Sequence, residues 1–150
     1  MLKRAVYMMF CLLLISCSAC GPSLTSSKQA LVLEPQSLVR WYAEEKALEI
    51  HAVIANPTDK DVSFAAYIVF LNPHLRNKDG LKRVEIKADD RNGATPFLLQ
   101  PGQETMVEHV FYTTKTMERA WLSKGVGIEI AADGKRYTLP IRYAEIEELP

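Results

Sequence analysis

Between residues 61 and 71 the chain places Val62, Phe64, Ala66, Ile68 and Phe70 at every second position, with Ala65, Tyr67, Val69 and Leu71 between them. A period of two sends alternate side chains to opposite faces of an extended strand, and a strand that is apolar on both faces has to lie inside a sheet. This stretch commits the chain to a β core with strands on either side of it. Turn signals bound it, Asn56-Pro57-Thr58-Asp59 before and Asn72-Pro73 after, because Pro fixes φ and Asn or Asp bonds its own backbone.

The same alternation recurs in shorter pieces. Residues 30–33 read as a strand stopped by Glu34-Pro35. Residues 38–43 and the run with Leu48, Ile50, Ala52 and Ile54 read as two strands joined at Glu44-Glu45-Lys46. A helix over this region is the alternative, since the turn lacks Gly or Asn, but it would set Glu45 and Glu49 on the buried face. Residues 81–88, with Lys82, Arg83, Glu85 and Lys87 around Val84 and Ile86, carry the charge expected of an edge strand. Residues 97–99 form a short strand closed by Gln100-Pro101-Gly102-Gln103, and residues 104–113 alternate Met106, Val110 and Tyr112 against Val107, His109 and Phe111.

A short helix is expected near residues 114–124, capped by Thr and ended by Gly125, with Met117, Ala120 and Trp121 at helical spacing. Residues 126–131 and 136–143 flank Ala132-Asp133-Gly134-Lys135, a hairpin signal, and Pro140 makes the second of these an edge. Eight or nine short strands with regular turns predict an all-β, two-sheet β-sandwich.

The first twenty residues carry a different message. Lys3 and Arg4 precede the apolar run 5–15, with no acid, and small residues follow at Ser16, Ser18 and Ala19. That is the layout of an export signal, and the run is too short for a membrane span of roughly twenty residues. Leu14-Ile15-Ser16-Cys17 resembles the lipobox of bacterial lipoprotein precursors. The resemblance implies cleavage after Ser16, a diacylglyceryl thioether on Cys17 and usually acylation of the new amine. Several acyl chains, at about 0.8 kcal/mol per buried methylene, hold a protein firmly on a bilayer. Cys20 is the alternative acceptor, though its minus-three position is Cys17 rather than an aliphatic residue.

The expected organisation is therefore a signal peptide at 1–16, the lipidated Cys and a small polar tether at 17–29, and the sandwich at 30–150. The three cysteines, Cys11, Cys17 and Cys20, all precede the folded part, which must be stable without a disulfide. If Cys17 is acylated, Cys20 is left as an odd thiol able to link two chains. Ser18, rather than an Asp, follows Cys17, which in lipoprotein families goes with the outer membrane, facing the periplasm. The whole chain has 18 basic and 18 acidic residues, and removal of the signal takes away two cations and no acid. Without a basic stripe, nucleic acid is not an expected partner.

A looser resemblance covers residues 47–113. An apolar strand, Asn56-Pro57-Thr58-Asp59, a long strand and then Leu98-Leu99-Gln100-Pro101-Gly102-Gln103 look like the immunoglobulin-like domains of small envelope lipoproteins. It implies architecture alone, and no catalytic residues come with it.

Chemistry is sparse. No nucleophile elbow, phosphate loop or His-Glu-x-x-His is present, so no enzyme and no cofactor is expected. His51 and His109 with Glu49 or Glu108 would supply zinc ligands if strand pairing brought them together. Taking Gly93 as the sixth residue of an EF-hand loop puts Ala88 and Leu99 where carboxylates are required, so that site fails. Trp41 and Tyr42 are strand neighbours, so only one of them faces solvent as a sugar platform would. The expectation is a membrane-anchored envelope adaptor or assembly factor, the alternatives being a periplasmic binder of a sugar, peptide or metal, or an inhibitor of an envelope enzyme. The long loops 72–80 and 89–95 concentrate His74, Arg76, Asn77, Lys78, Asp89, Asp90, Arg91 and Asn92, and they are the expected partner contact.

Overall fold

Ten strands and two single-turn helices form among the described residues: β1 (Val32–Leu33), β2 (Leu38–Tyr42), β3 (Ala47–Ala55), β4 (Val62–Phe70), α1 (Pro73–Arg76), β5 (Val84–Ile86), β6 (Phe97–Leu99), β7 (Glu104–Tyr112), α2 (Arg119–Leu122), β8 (Val126–Ala132), β9 (Lys135–Pro140) and β10 (Tyr143–Glu147). The computed structural model describes residues 29–76, 81–87 and 96–147. The signal segment, the lipobox with Cys17, Cys11, Cys20 and most of the tether lie outside the described residues, as do Asn77, Lys78, Asp89, Asp90, Arg91 and Asn92.

In the first sheet β7 runs antiparallel along the whole of β3, from Ala47 opposite Tyr112 to Ala55 opposite Glu104. The other side of β3 is shared by β2 and β1, and β10 lies parallel outside β2. At the gap between β1 and β2, Val53 would lose its ladder partners. The Ser37 hydroxyl accepts the Val53 N–H at 3.0 Å and the Glu34 N–H donates to the Val53 carbonyl at 2.9 Å, so both groups are satisfied. In the second sheet β4 pairs with β8, β9 flanks β8, and β5 and β6 pair with the middle and the start of β4.

The alternation read from the sequence now has a physical target. Val39, Trp41, Leu48, Ile50 and Ile54 of the first sheet and Phe64, Ile68, Ile128 and Ile130 of the second belong to one buried cluster. Each such side chain contributes about 1.5–3 kcal/mol by leaving water. Phe70 meets Phe111 edge-on at 5.2 Å, joining the two sheets. The chain is mostly β, with two sheets sharing one core. Trp41 is buried and Tyr42 half-exposed, as neighbours on a strand must be. The Trp41 indole N–H has no hydrogen-bond partner among the described residues.

Residues 38–55 form two strands, as expected, and not the alternative helix. Lys46, with φ 51, takes the left-handed position that a Gly or Asn normally fills in such a turn. The expected helix over 114–124 shrinks to Arg119–Leu122, because Thr113, Thr114 and Thr116 are poor helix formers and no side chain caps its start. The described start of the 72–80 loop is the helical turn α1, anchored by buried Leu75. Residues 136–143 do not continue as one strand. The chain leaves the second sheet after Pro140 and returns in the first as β10. The Ile141 N–H reaches Val126, so Pro140 sits where a missing N–H faces away from β8.

Candidate functional site

Of the expected loop contact His74 and Arg76 are described, and both are exposed. The Arg76 Nε donates to the Phe70 carbonyl at 2.9 Å, and the His74 ring stacks on Trp121 at 5.1 Å. Asn72 Oδ1 accepts the His74 N–H at 2.8 Å and so opens α1. Arg76 thus ties α1 to the end of β4, and His74 ties it to α2.

The histidine pair is also separated. His51 lies opposite Glu108, whereas His109 lies opposite Ile50, so the two imidazoles occupy opposite faces of the sheet. The His51 ring meets the Glu108 carboxylate at 3.0 Å. His109 packs edge-on to Phe111 on the inner face at 4.5 Å, and desolvation there lowers its pKa. Among the described residues no three His, Cys, Asp or Glu side chains gather as a metal site would need.

What strand register does assemble is the outer face of the first sheet. One row across it reads Glu145, Arg40, Glu49, Val110, and its neighbours read Tyr143, Leu38, His51, Glu108 and Glu147, Tyr42, Ala47, Tyr112. Each row spans three inter-strand spacings, roughly 15 Å. Arg40 stands between two carboxylates, its Nε 3.0 Å from Glu145 and its Nη1 3.5 Å from Glu49. It also donates to Tyr42 Oη at 3.2 Å, and Tyr42 Oη in turn donates to Glu49 at 2.9 Å. The hydrogen bond with Tyr42 and then that with Glu145 raise the Arg40 pKa, leaving it a fixed cation. Partly exposed pairs of this kind contribute only about 0.2–1 kcal/mol each, so their effect is chiefly to hold side chains in place.

Around that network the face is acidic and sticky. Glu104 and Glu108 on β7, Glu49 on β3 and Glu145 and Glu147 on β10 share it with Arg40, the one Arg or Lys on the described strands of this sheet. Tyr112 is 71% exposed, Tyr143 58%, Met106 56% and Val110 43%. Single exposed apolar residues are ordinary, but four on one face, with aromatic and Met side chains among them, have the composition of a protein-contact surface. The outer face of the opposite sheet mixes the two signs, with Glu85 and Glu129 on either side of Tyr67. There Arg83 lies 3.6 Å over the Tyr67 ring and bonds Glu129 at 2.7 Å, which raises its pKa, and Arg136 adds a second cation to Glu129.

This face was legible in the sequence only as the polar half of each alternation. Nothing in the one-dimensional pattern says that Glu108, not His109, lies against His51, because a one-residue change of register would exchange them. An open groove borders the face at Tyr143, where Val32, Pro35, Pro140 and Arg142 surround the entry of the chain, and Glu34 and Arg142 are its charged lining residues.

Neither a family model nor a curated protein matches this chain. Among solved structures it is similar to a GH20 exo β-N-acetylglucosaminidase from Vibrio harveyi, at 11% identity over 79% of this chain and 18% of that one, with a TM-score of 0.41. It is also similar to the alkylpurine DNA glycosylase AlkC from Pseudomonas fluorescens, at 11% identity over 75% of this chain and 30% of that one, with a TM-score of 0.37. The chain thus spans less than a third of either protein.

Proposed function

We propose that the chain is a bacterial lipoprotein, anchored through Cys17 in the cell envelope, whose immunoglobulin-like sandwich acts as an adaptor or assembly factor for another envelope protein. The outer face of the first sheet makes the contact. The observation that carries the contact is the gathering of Tyr112, Tyr143, Met106 and Val110, all exposed, among five carboxylates on one rigid sheet. The lipobox supports the anchor, and Ser18 supports the outer membrane, with the domain facing the periplasm. The division of strands, with β3 and β7 in one sheet and β4, β8 and β9 in the other, supports the immunoglobulin-like reading.

The anchor is tested by intact mass and by incorporation of a labelled fatty acid. Cys17→Ser should abolish both lipid and cleavage after Ser16, and Cys20→Ser should leave them intact. Lipid found on Cys20 would move the anchor, and lipid on neither cysteine would remove the envelope reading altogether. A disulfide-linked dimer through Cys20 belongs to the same reading, and non-reducing gels that show monomer with and without oxidant would eliminate it.

A further inference from the structure

The long strand β7 has one edge paired to β3 and, among the described residues, nothing on the other. Which of its backbone groups face outward follows from two bonds at its ends. The Thr113 N–H donates to the Lys46 carbonyl at 3.0 Å, and the Asn56 N–H donates to the Gln103 carbonyl at 2.9 Å. Odd-numbered residues of β7 therefore spend their backbone groups on β3. In an antiparallel ladder the alternate residues point theirs the other way. Met106, Glu108 and Val110 present an N–H and a C=O each to open space, a ready template for another strand.

The outer strands of the second sheet are protected against such pairing, and β10, the other edge of the first, has only 5 residues. β9 begins with Lys135-Arg136 and ends in Pro140, and β5 is 3 residues long between Lys82, Arg83 and Lys87. β7 has 9 residues in continuous register, without Lys or Pro. The side chains beside its open backbone groups, Met106 and Val110, are exposed and apolar.

Charge decides what can occupy the edge. A second copy pairing along the full strand would set Glu108 against its own counterpart, and like charges directly opposite destabilise a ladder. The surrounding face, with Glu104, Glu49, Glu145 and Glu147, is acidic as well. A strand carrying a cation at the central position, with apolar residues two places to either side, satisfies the backbone, Met106, Glu108 and Val110 together.

We propose that the free edge of β7 takes up an extended segment of the partner protein as an added antiparallel strand, selecting one with Lys or Arg opposite Glu108 and apolar residues opposite Met106 and Val110. The inference rests on the adaptor reading and names how that partner is held. The probe is the capped peptide Thr-Val-Thr-Lys-Thr-Val-Thr, with a control in which Glu replaces its Lys, titrated into the full chain in detergent micelles at low salt. The Lys peptide should bind about five-fold more tightly than the Glu peptide, the contrast expected of one cross-strand charge pair. Amide signals of Met106, Glu108 and Val110 should shift and gain protection from exchange. Glu108→Lys should reverse the order of the two peptides. Glu108→Pro, which removes an outward N–H and the side-chain contact with His51 but no backbone bond to β3, should abolish binding of both with the circular dichroism spectrum retained; if that variant unfolds, the charge reversal decides alone. Equal binding of the two peptides, an order unchanged in Glu108→Lys, or shifts confined to residues away from β7 would overturn the proposal. An envelope partner still crosslinked from Tyr143 with unchanged yield in Glu108→Pro would refute the edge while leaving the adaptor standing; peptide selectivity without any partner crosslink in cells would refute the adaptor instead.

Discussion

Replacing Asn56 with Ala removes a buried hub that ties the turn after β3 to the end of β6. The Asn56 side chain is fully buried. Its Nδ2 donates to the carbonyls of Lys60 at 2.8 Å and Leu99 at 2.9 Å. Its Oδ1 accepts the Thr58 N–H at 3.0 Å and the Thr58 hydroxyl at 2.6 Å. Its backbone bonds Gln103 and Gly102 and is untouched by the change. The bond to Leu99 is buried and carries its full weight, about 1–1.5 kcal/mol, because the stranded carbonyl finds no water. The others lie nearer solvent and contribute about half as much each. The sum is about 3 kcal/mol, which for a domain of this size lowers Tm by about 10 °C. Thermal and urea unfolding of the full chain, followed by circular dichroism, measures both. Asn56→Asp is the sharper control. It keeps the acceptor for Thr58 but turns a carboxylate oxygen toward two carbonyls, so it should cost at least as much as Ala. A loss below about 1 kcal/mol in Asn56→Ala, or an Asp variant as stable as the native chain, would refute the hub.

Other positions give equally direct tests. Because burial lowers the His109 pKa, the unfolded chain takes up its proton first, so stability should fall as pH drops from about 7.5 through the ordinary value near 6.5, and His109→Gln should flatten that slope in urea titrations. Gly125→Ala should cost about 2 kcal/mol or more, since a Cβ there would fall 1.7 Å from the Trp121 carbonyl oxygen, and thermal unfolding reads it. Gly134→Val should destabilise the hairpin by about 1–2 kcal/mol, because residue 134 holds φ 71, and a Gly134→Asn control should recover much of the loss.

The extent to which the fold could be read in advance follows the range of the interactions involved. Residues 61–71 announced a central strand because burial on both faces is written into every position, and Asp133-Gly134 announced its turn because few residues accept φ 50 followed by φ 71. The turn at Lys46 was harder, since a Lys in the left-handed region carries no local signal. β10 was missed because Tyr143-Ala144-Glu145-Ile146-Glu147 has only two inward apolar residues, and its reason for being a strand is a parallel pairing with β2, far away in sequence. Asn56 was legible as a turn former, but its bond to Leu99 depends on a strand 43 residues later. The candidate face suffers the same loss in stronger form. Its acids and aromatics are scattered over four strands, and only register makes neighbours of Arg40, Glu49 and Glu145.

The measurement that tests the account most directly is photocrosslinking in cells, with a photoreactive residue placed singly at Tyr112 and Tyr143 on the outer face of the first sheet and at Glu85 and Arg136 on the second. The account predicts one envelope protein joined to the first two positions, lost when Cys17→Ser prevents anchoring, and no such product from the second sheet. A partner captured from Glu85 or Arg136 with nothing from Tyr112 and Tyr143 would contradict it.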